Sequence, residues 1–138
     1  SGFSLTTPEG KPVNVLVQHE KYCFSYKATF NEETGHINFG IGIITEKGMG
    51  VSWKLYPGKL KYIHDFIHQG ESVIVRWQFM CLFMPGTYFI NTGIRRWRQE
   101  DEELLFKGAE IFAFRVLGNK KDVGGIFDTG LTADIKIC

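Results

Sequence analysis

The residues best placed to do chemistry in this sequence are an arginine–tryptophan cluster, Arg95-Arg96-Trp97-Arg98. Indole faces stack on the apolar C–H faces of sugar rings, and guanidinium groups fork onto carboxylates, phosphates or ring hydroxyls. Trp53 and Tyr56, three residues apart before the Pro57-Gly58 turn, offer a second aromatic pair. Arg76 and Gln78 are the polar members of the outward register of a long alternating run, and Asn91 is expected to extend that face from the neighbouring strand. Trp53, Tyr56 and Trp97 are therefore the stacking candidates. Arg76, Gln78, Asn91, Arg95 and Arg96 are the hydrogen-bonding ones. Plainer roles compete with these: Trp77 is in register with a core, Trp53 could join it, and the arginines could pair with Glu100–Glu103 across a hairpin.

Catalytic and cofactor signatures are thin. Gly40-Ile41-Gly42 lacks the third glycine of a dinucleotide loop, since Thr45 stands there, and it lies inside an alternating strand rather than before a helix. No GxxxxGK[ST] loop or GxSxG elbow occurs. His64 and His68 have the i, i+4 spacing of a helical metal pair, without a third ligand in view. Glycoside hydrolysis needs two carboxylates facing across a sugar, whereas Glu100–Glu103 read as a solvated polar stretch. These patterns favour binding without catalysis and predict no metal.

The elements that must position the candidates are strands. Tyr22, Phe24, Tyr26, Ala28 and Phe30 alternate with Cys23, Ser25, Lys27 and Thr29, and Ile37–Ile43 alternate in the same way. A third run carries Val73, Val75, Trp77, Phe79, Cys81 and Phe83 on one face, and a fourth, after the Pro85-Gly86 turn, carries Tyr88, Ile90, Thr92 and Ile94. Phe112, Phe114 and Val116 mark another strand, Asp134–Cys138 a short terminal one, and Val13–Gln18 and Val51–Tyr56 two more. Turn signals at Glu9-Gly10, Glu32–Gly35, Glu46–Gly50 and Gly118–Asp122 punctuate them. Lys59–His68 is the one helical candidate, and it could equally be a loop. This rhythm predicts an all-β sandwich of antiparallel strands.

Length and composition agree. The 138 residues, 43% hydrophobic and 22% charged, suit a single folded domain over 1–138. Sixteen basic against fifteen acidic residues give a net charge of +1, which does not favour nucleic acid as a partner. Three widely spaced cysteines, Cys23, Cys81 and Cys138, argue for reduced thiols rather than a disulfide framework. Ser1-Gly2 reads as the remnant of a cleaved tag, so the chain is expected to be a piece of a longer protein. On the residues alone the expectation is a β-sandwich binding module for sugars. An adhesin-like or structural dimerisation sandwich that binds a protein partner is the alternative.

Several segments, in order, resemble one family. They are Thr7-Pro8-Glu9-Gly10-Lys11-Pro12-Val13, then Val17–Tyr22 with His19 where glycine is expected, then Gly40–Gly48 and Gly70–Val75. Met84-Pro85-Gly86-Thr87-Tyr88-Phe89-Ile90 is similar to that family's Pro-Gly-x-Tyr element, and Ala113–Val116 and Gly124-Gly125-Ile126 follow. The family is the C-terminal carbohydrate-binding domain of Wzt, the ATPase subunit of O-antigen polysaccharide ABC transporters. Glu110, near a position often held by Asp, and an individual Arg95–Lys107 insertion depart from its pattern. The resemblance implies an immunoglobulin-like or jelly-roll sandwich that dimerises by exchanging a C-terminal strand, here Thr132–Cys138 beyond the hinge Gly124–Gly130. It implies non-catalytic recognition of O-polysaccharide and of its modified non-reducing end. No cofactor is implied within the domain, ATP belonging to a separate ATPase domain. The implied partners are the glycan, a second copy and the transmembrane transporter subunit, at the cytoplasmic face of the bacterial inner membrane.

Overall fold

The computed structural model describes residues 2–63, 65–118 and 124–137, so His64, Cys138 and most of the Gly118–Asp122 turn lie outside the described residues. Eight strands follow in chain order: β1 Ser4–Thr6, β2 Val15–Val17, β3 Lys21–Thr29, β4 Ile37–Thr45, β5 Gly50–Tyr56, β6 Ser72–Met80, β7 Gly86–Arg98 and β8 Asp101–Leu117. Among the described residues there is no helix. Lys59–His68 is a loop in its described part, tied down by isolated bridges from Ile63 to Ile37 and from Ile67 to Thr34.

Three strands form one sheet in the order β1-β3-β6, and five form the other in the order β2-β8-β7-β4-β5. The alternation that predicts the strands also fills the space between the sheets. Leu5, Tyr22, Phe24 and Tyr26 meet Leu16, Ile37, Phe39, Ile43, Tyr88, Ile90, Ile94, Phe114 and Val116, all buried. Phe83 lies within aromatic contact of Phe79, Tyr88 and Phe114. The Tyr88 hydroxyl donates to the Met84 carbonyl at 2.6 Å, so the tyrosine of the Pro-Gly-x-Tyr element ties down the turn that introduces β7.

Two expectations need correction, the antiparallel pairing throughout and the terminal strand. The sheets are not wholly antiparallel, because β2 runs parallel to β8, Val15 to Val17 against Arg115 to Leu117. The Arg95–Lys107 stretch is strand for most of its length, since β7 runs on to Arg98 and β8 begins at Asp101. Between them Gln99 and Glu100, with φ of 53° and 64°, make a two-residue hairpin turn of the kind whose twist suits antiparallel strands. Asp134–Ile137 forms no strand pairing. Within the Gly124–Gly130 segment Met84 N donates to Ile126 O at 2.8 Å, and Asp128 N to Leu82 O at 2.8 Å.

His19, at the position where glycine is expected, takes a φ of 69°, the left-handed region that glycine enters without steric cost. Its Nε2 stands 3.3 Å from Oδ2 of the buried Asp128, a contact that a glycine could not make. Cys23 and Cys81 are free thiols, and burial pushes the Cys81 thiol up, away from the reactive thiolate.

Candidate functional site: a glycine-floored trough

Alternation divides the five-stranded sheet into a core face and an outer face. Along β7 the even positions from Tyr88 to Arg96 are buried, and the odd positions Phe89, Asn91, Gly93, Arg95 and Trp97 face outward. The pairing sets two rows of side chains across this face. One runs Trp53–Gly42–Asn91; the next runs Leu55–Gly40–Gly93–Lys107. Both central positions of the second row are glycines, as is the central position of the first. The sheet is therefore bare in the middle and walled on both sides. Leu55 and Lys107 are three strand spacings apart, about 14 Å between backbones. The resulting trough has a volume of about 330 Å³ and is lined further by Arg95, Leu104 and Ala109.

The floor is held from below and at one end. The Thr92 hydroxyl, on the core side, donates to the Gly40 carbonyl at 2.9 Å and lies 3.1 Å from the Tyr26 hydroxyl, whose pKa burial pushes up. Asn38 is in the outer register but buried, because its Nδ2 donates to the carbonyls of Gly58 at 2.8 Å and Lys61 at 2.9 Å. Those bonds fold the loop after β5 over the sheet. There Tyr62 packs against Trp97 with ring centroids 5.9 Å apart. The Tyr62 hydroxyl donates to Glu102, and this bond to a carboxylate pushes its pKa up to about 12.

The sequence candidates separate as follows. Trp53 is 73% exposed on one wall of the trough, Asn91 and Arg95 line it, and Trp97 lies on the same face beyond Arg95. Tyr56 does not join Trp53. Three positions along a strand reverse the side-chain direction, and Tyr56 is opposite Phe39, in the core-side register at the sheet margin. Arg76 and Gln78 are opposite Ser25 and Cys23 on the outer face of the three-stranded sheet, so Asn91 does not extend their face. Arg96 points inward, its side chain only 8% exposed, with Nε 2.9 Å from Glu103 and an Nη 2.7 Å from Glu32. Its hydrogen bonds to Glu103 and Glu32 raise the guanidinium's pKa, and the reciprocal bond lowers that of Glu103. The plainer role of the arginines thus holds for Arg96, and partly for Arg95, whose Nε is 3.6 Å from Glu102.

Sequence reasoning missed Lys107, Leu55 and Leu104. The signal was present in the glycines: Gly40, Gly42 and Gly93 share the outward register of adjacent strands, which costs strand stability and makes room above the sheet. A larger cleft of about 510 Å³ opens at one end of the sandwich between Phe3, Tyr26, Phe30, Ile94 and Phe106. Its lining also carries Lys27, Thr29, Asn31, Glu32 and Thr34; it differs from the trough in having no exposed indole and no glycine floor. Among the described residues no group of His, Cys, Asp or Glu side chains could hold a metal.

An all-β sandwich with a shallow open trough, an exposed indole and convergent polar groups defines a binding domain. The chain belongs to the Wzt C-terminal domain family, which matches over residues 1–129. Its fold is that of the crystal structure of the C-terminal domain of Wzt, with a TM-score of 0.82 at 15% sequence identity, covering 97% of this chain and 81% of that one. No curated protein matches the chain. Among the described residues no helix is long and apolar enough to cross a membrane.

Proposed function

We propose that this chain recognises O-antigen polysaccharide, without chemical turnover, for export by an ABC transporter, and that it engages the modified non-reducing end of the polymer. Membership of the Wzt C-terminal domain family supports a carbohydrate-binding role in O-antigen transport. The observation that carries the reading to a site is Trp53, a large indole left in solvent beside a floor of three glycines. A sugar ring on that floor stacks its C–H face on the indole while Asn91 and Arg95 meet its hydroxyls. Such a site is shallow and wet, so each ring adds modest affinity. An ATP-hydrolysing companion domain, a transmembrane transporter subunit and a place at the cytoplasmic face of the inner membrane belong to the same proposal.

Dimerisation by exchange of Thr132–Cys138 is a further part of it. Leu131, Ile135 and Ile137 are 89%, 82% and 94% exposed at odd positions, the spacing of a strand that has not found its sheet. The outer edge of β6 has no partner strand among the described residues, and an added strand would satisfy its ladder.

The test is a titration of isotopically labelled chain with the O-polysaccharide of its own organism, against an unrelated polysaccharide. Selective shifts at Trp53, Asn91 and Gly93 are expected, and Trp53→Ala should remove them while leaving the fold intact. No shifts at millimolar sugar would favour the protein-binding alternative.

A further inference from the structure

Resting on the carbohydrate reading, the charges around the trough narrow its ligand. Two cations line it, Arg95 and Lys107, and no carboxylate does. The nearest acidic side chains along β8 are outside the lining, although one of them partly neutralises Arg95. Glu102 accepts from Tyr62 and pairs with Arg95, and Glu110 is on the bulge opposite Asn91, with its backbone N–H donating to Asn91 Oδ1 at 2.6 Å. Lys107 has no ion pair among the described residues. It stands directly across the Gly40–Gly93 floor from Leu55, at the end of the row that has no side chain in its middle.

We infer that the trough selects a sugar carrying an anionic substituent, a ring carboxylate or a phosphate ester, and that Lys107 is the residue that reads it. A ring lying on the two glycines presents one edge to Leu55 and the opposite edge to Lys107. A neutral hydroxyl at that edge leaves the ammonium as well hydrated as before. An anion gains a charge-assisted hydrogen bond from Lys107, whose charge no carboxylate among the described residues offsets, whereas Arg95 is already shared with Glu102. The pairing is open to solvent, so it works as a filter among glycans and is screened by salt. It falls to neutral polymers through absence of the attraction rather than through a clash.

The experiment compares the native O-polysaccharide of the same organism with two derivatives, one with its carboxylates reduced to alcohols and one with its phosphate esters removed. Loss of affinity of about fivefold at low salt with one derivative is expected, and which derivative loses binding says whether carboxylate or phosphate is read. The Lys107→Gln variant should bind the native polymer as weakly as the wild type binds that derivative, and its affinity should depend less on salt. Equal affinity for the native polymer and both derivatives overturns the inference and leaves carbohydrate recognition standing. So does an O-polysaccharide that binds and contains neither group. If no form of the polymer binds, the carbohydrate reading itself fails and takes this one with it.

Discussion

Filling the trough at Gly42 separates the site from the fold. A Cβ built at Gly42 comes no closer than 3.9 Å to the Ser52 carbonyl, ordinary van der Waals contact, and its φ is not in the left-handed region. Gly42→Val therefore adds a β-branched side chain to a strand that has room for it. Glycine within a strand costs roughly 0.5–1 kcal/mol, so stability should hold or rise slightly. The isopropyl group would stand between Trp53 and Asn91, on the floor where a ring must lie. Lifting one sugar face of about 50 Å² off the sheet loses about 1.3 kcal/mol of burial, and the weakened aromatic stack brings the loss to about 2 kcal/mol, roughly thirtyfold in affinity. Thermal melting checks the first half and titration with O-polysaccharide the second. A Gly42→Val protein that melts normally and binds with unchanged affinity would refute the assignment of the trough. Gly40 is a poorer place for this test, since a Cβ there would be 3.1 Å from Leu55 Cδ2.

Trp97 is 41% exposed and leans on Tyr62, so Trp97→Ala should cost about 1 kcal/mol of stability and weaken glycan binding in the same titration. Unfolding of that variant would instead make Trp97 structural and end the site at Arg95. Arg96→Met removes two short ion-pair contacts at the margin of the core, and urea denaturation should show a loss of about 2 kcal/mol with binding retained. The wild type's advantage over Arg96→Met should also depend on acidity. Arg96 lowers the pKa of Glu103 below its unfolded value of 4.5, so this part of the stability is present above that pH. It is lost as pH falls through the depressed value, and the two melting curves should converge in acid.

The strands were legible because apolar residues recur at alternate positions from Tyr22 to Phe30, from Ile37 to Ile43 and, with Thr92 the one polar member, from Tyr88 to Ile94. The β7–β8 hairpin was not, because its far half is polar on both faces. The periodicity that identifies a strand fades where Arg96, an inward position, is charged and satisfied by carboxylates rather than packed apolar. The terminal strand failed for a different reason. Thr132–Ile137 has the alternation but pairs with no strand, although the β6 edge is open among the described residues. At the site, residue type pointed to Trp53, Asn91 and Arg95, whereas grouping Arg76 and Gln78 with Asn91 required knowing which strands share a sheet. Alternation gives the face of each strand and is silent on neighbours. Lys107 escaped notice because a single lysine in a charged stretch carries no pattern.

The strict alternation of β7 has a consequence for how such a domain diversifies. Its even residues specify the fold and its odd residues the surface that meets a ligand, so the two sets occupy separate letters of the same short text. Selection on one set leaves the other nearly untouched. The inner positions, Thr92 and the ion-paired Arg96 among them, answer to packing and internal bonds, and the outer ones to whatever the face meets. A domain built this way keeps its shape long after its wording has gone, as a TM-score of 0.82 at 15% identity illustrates.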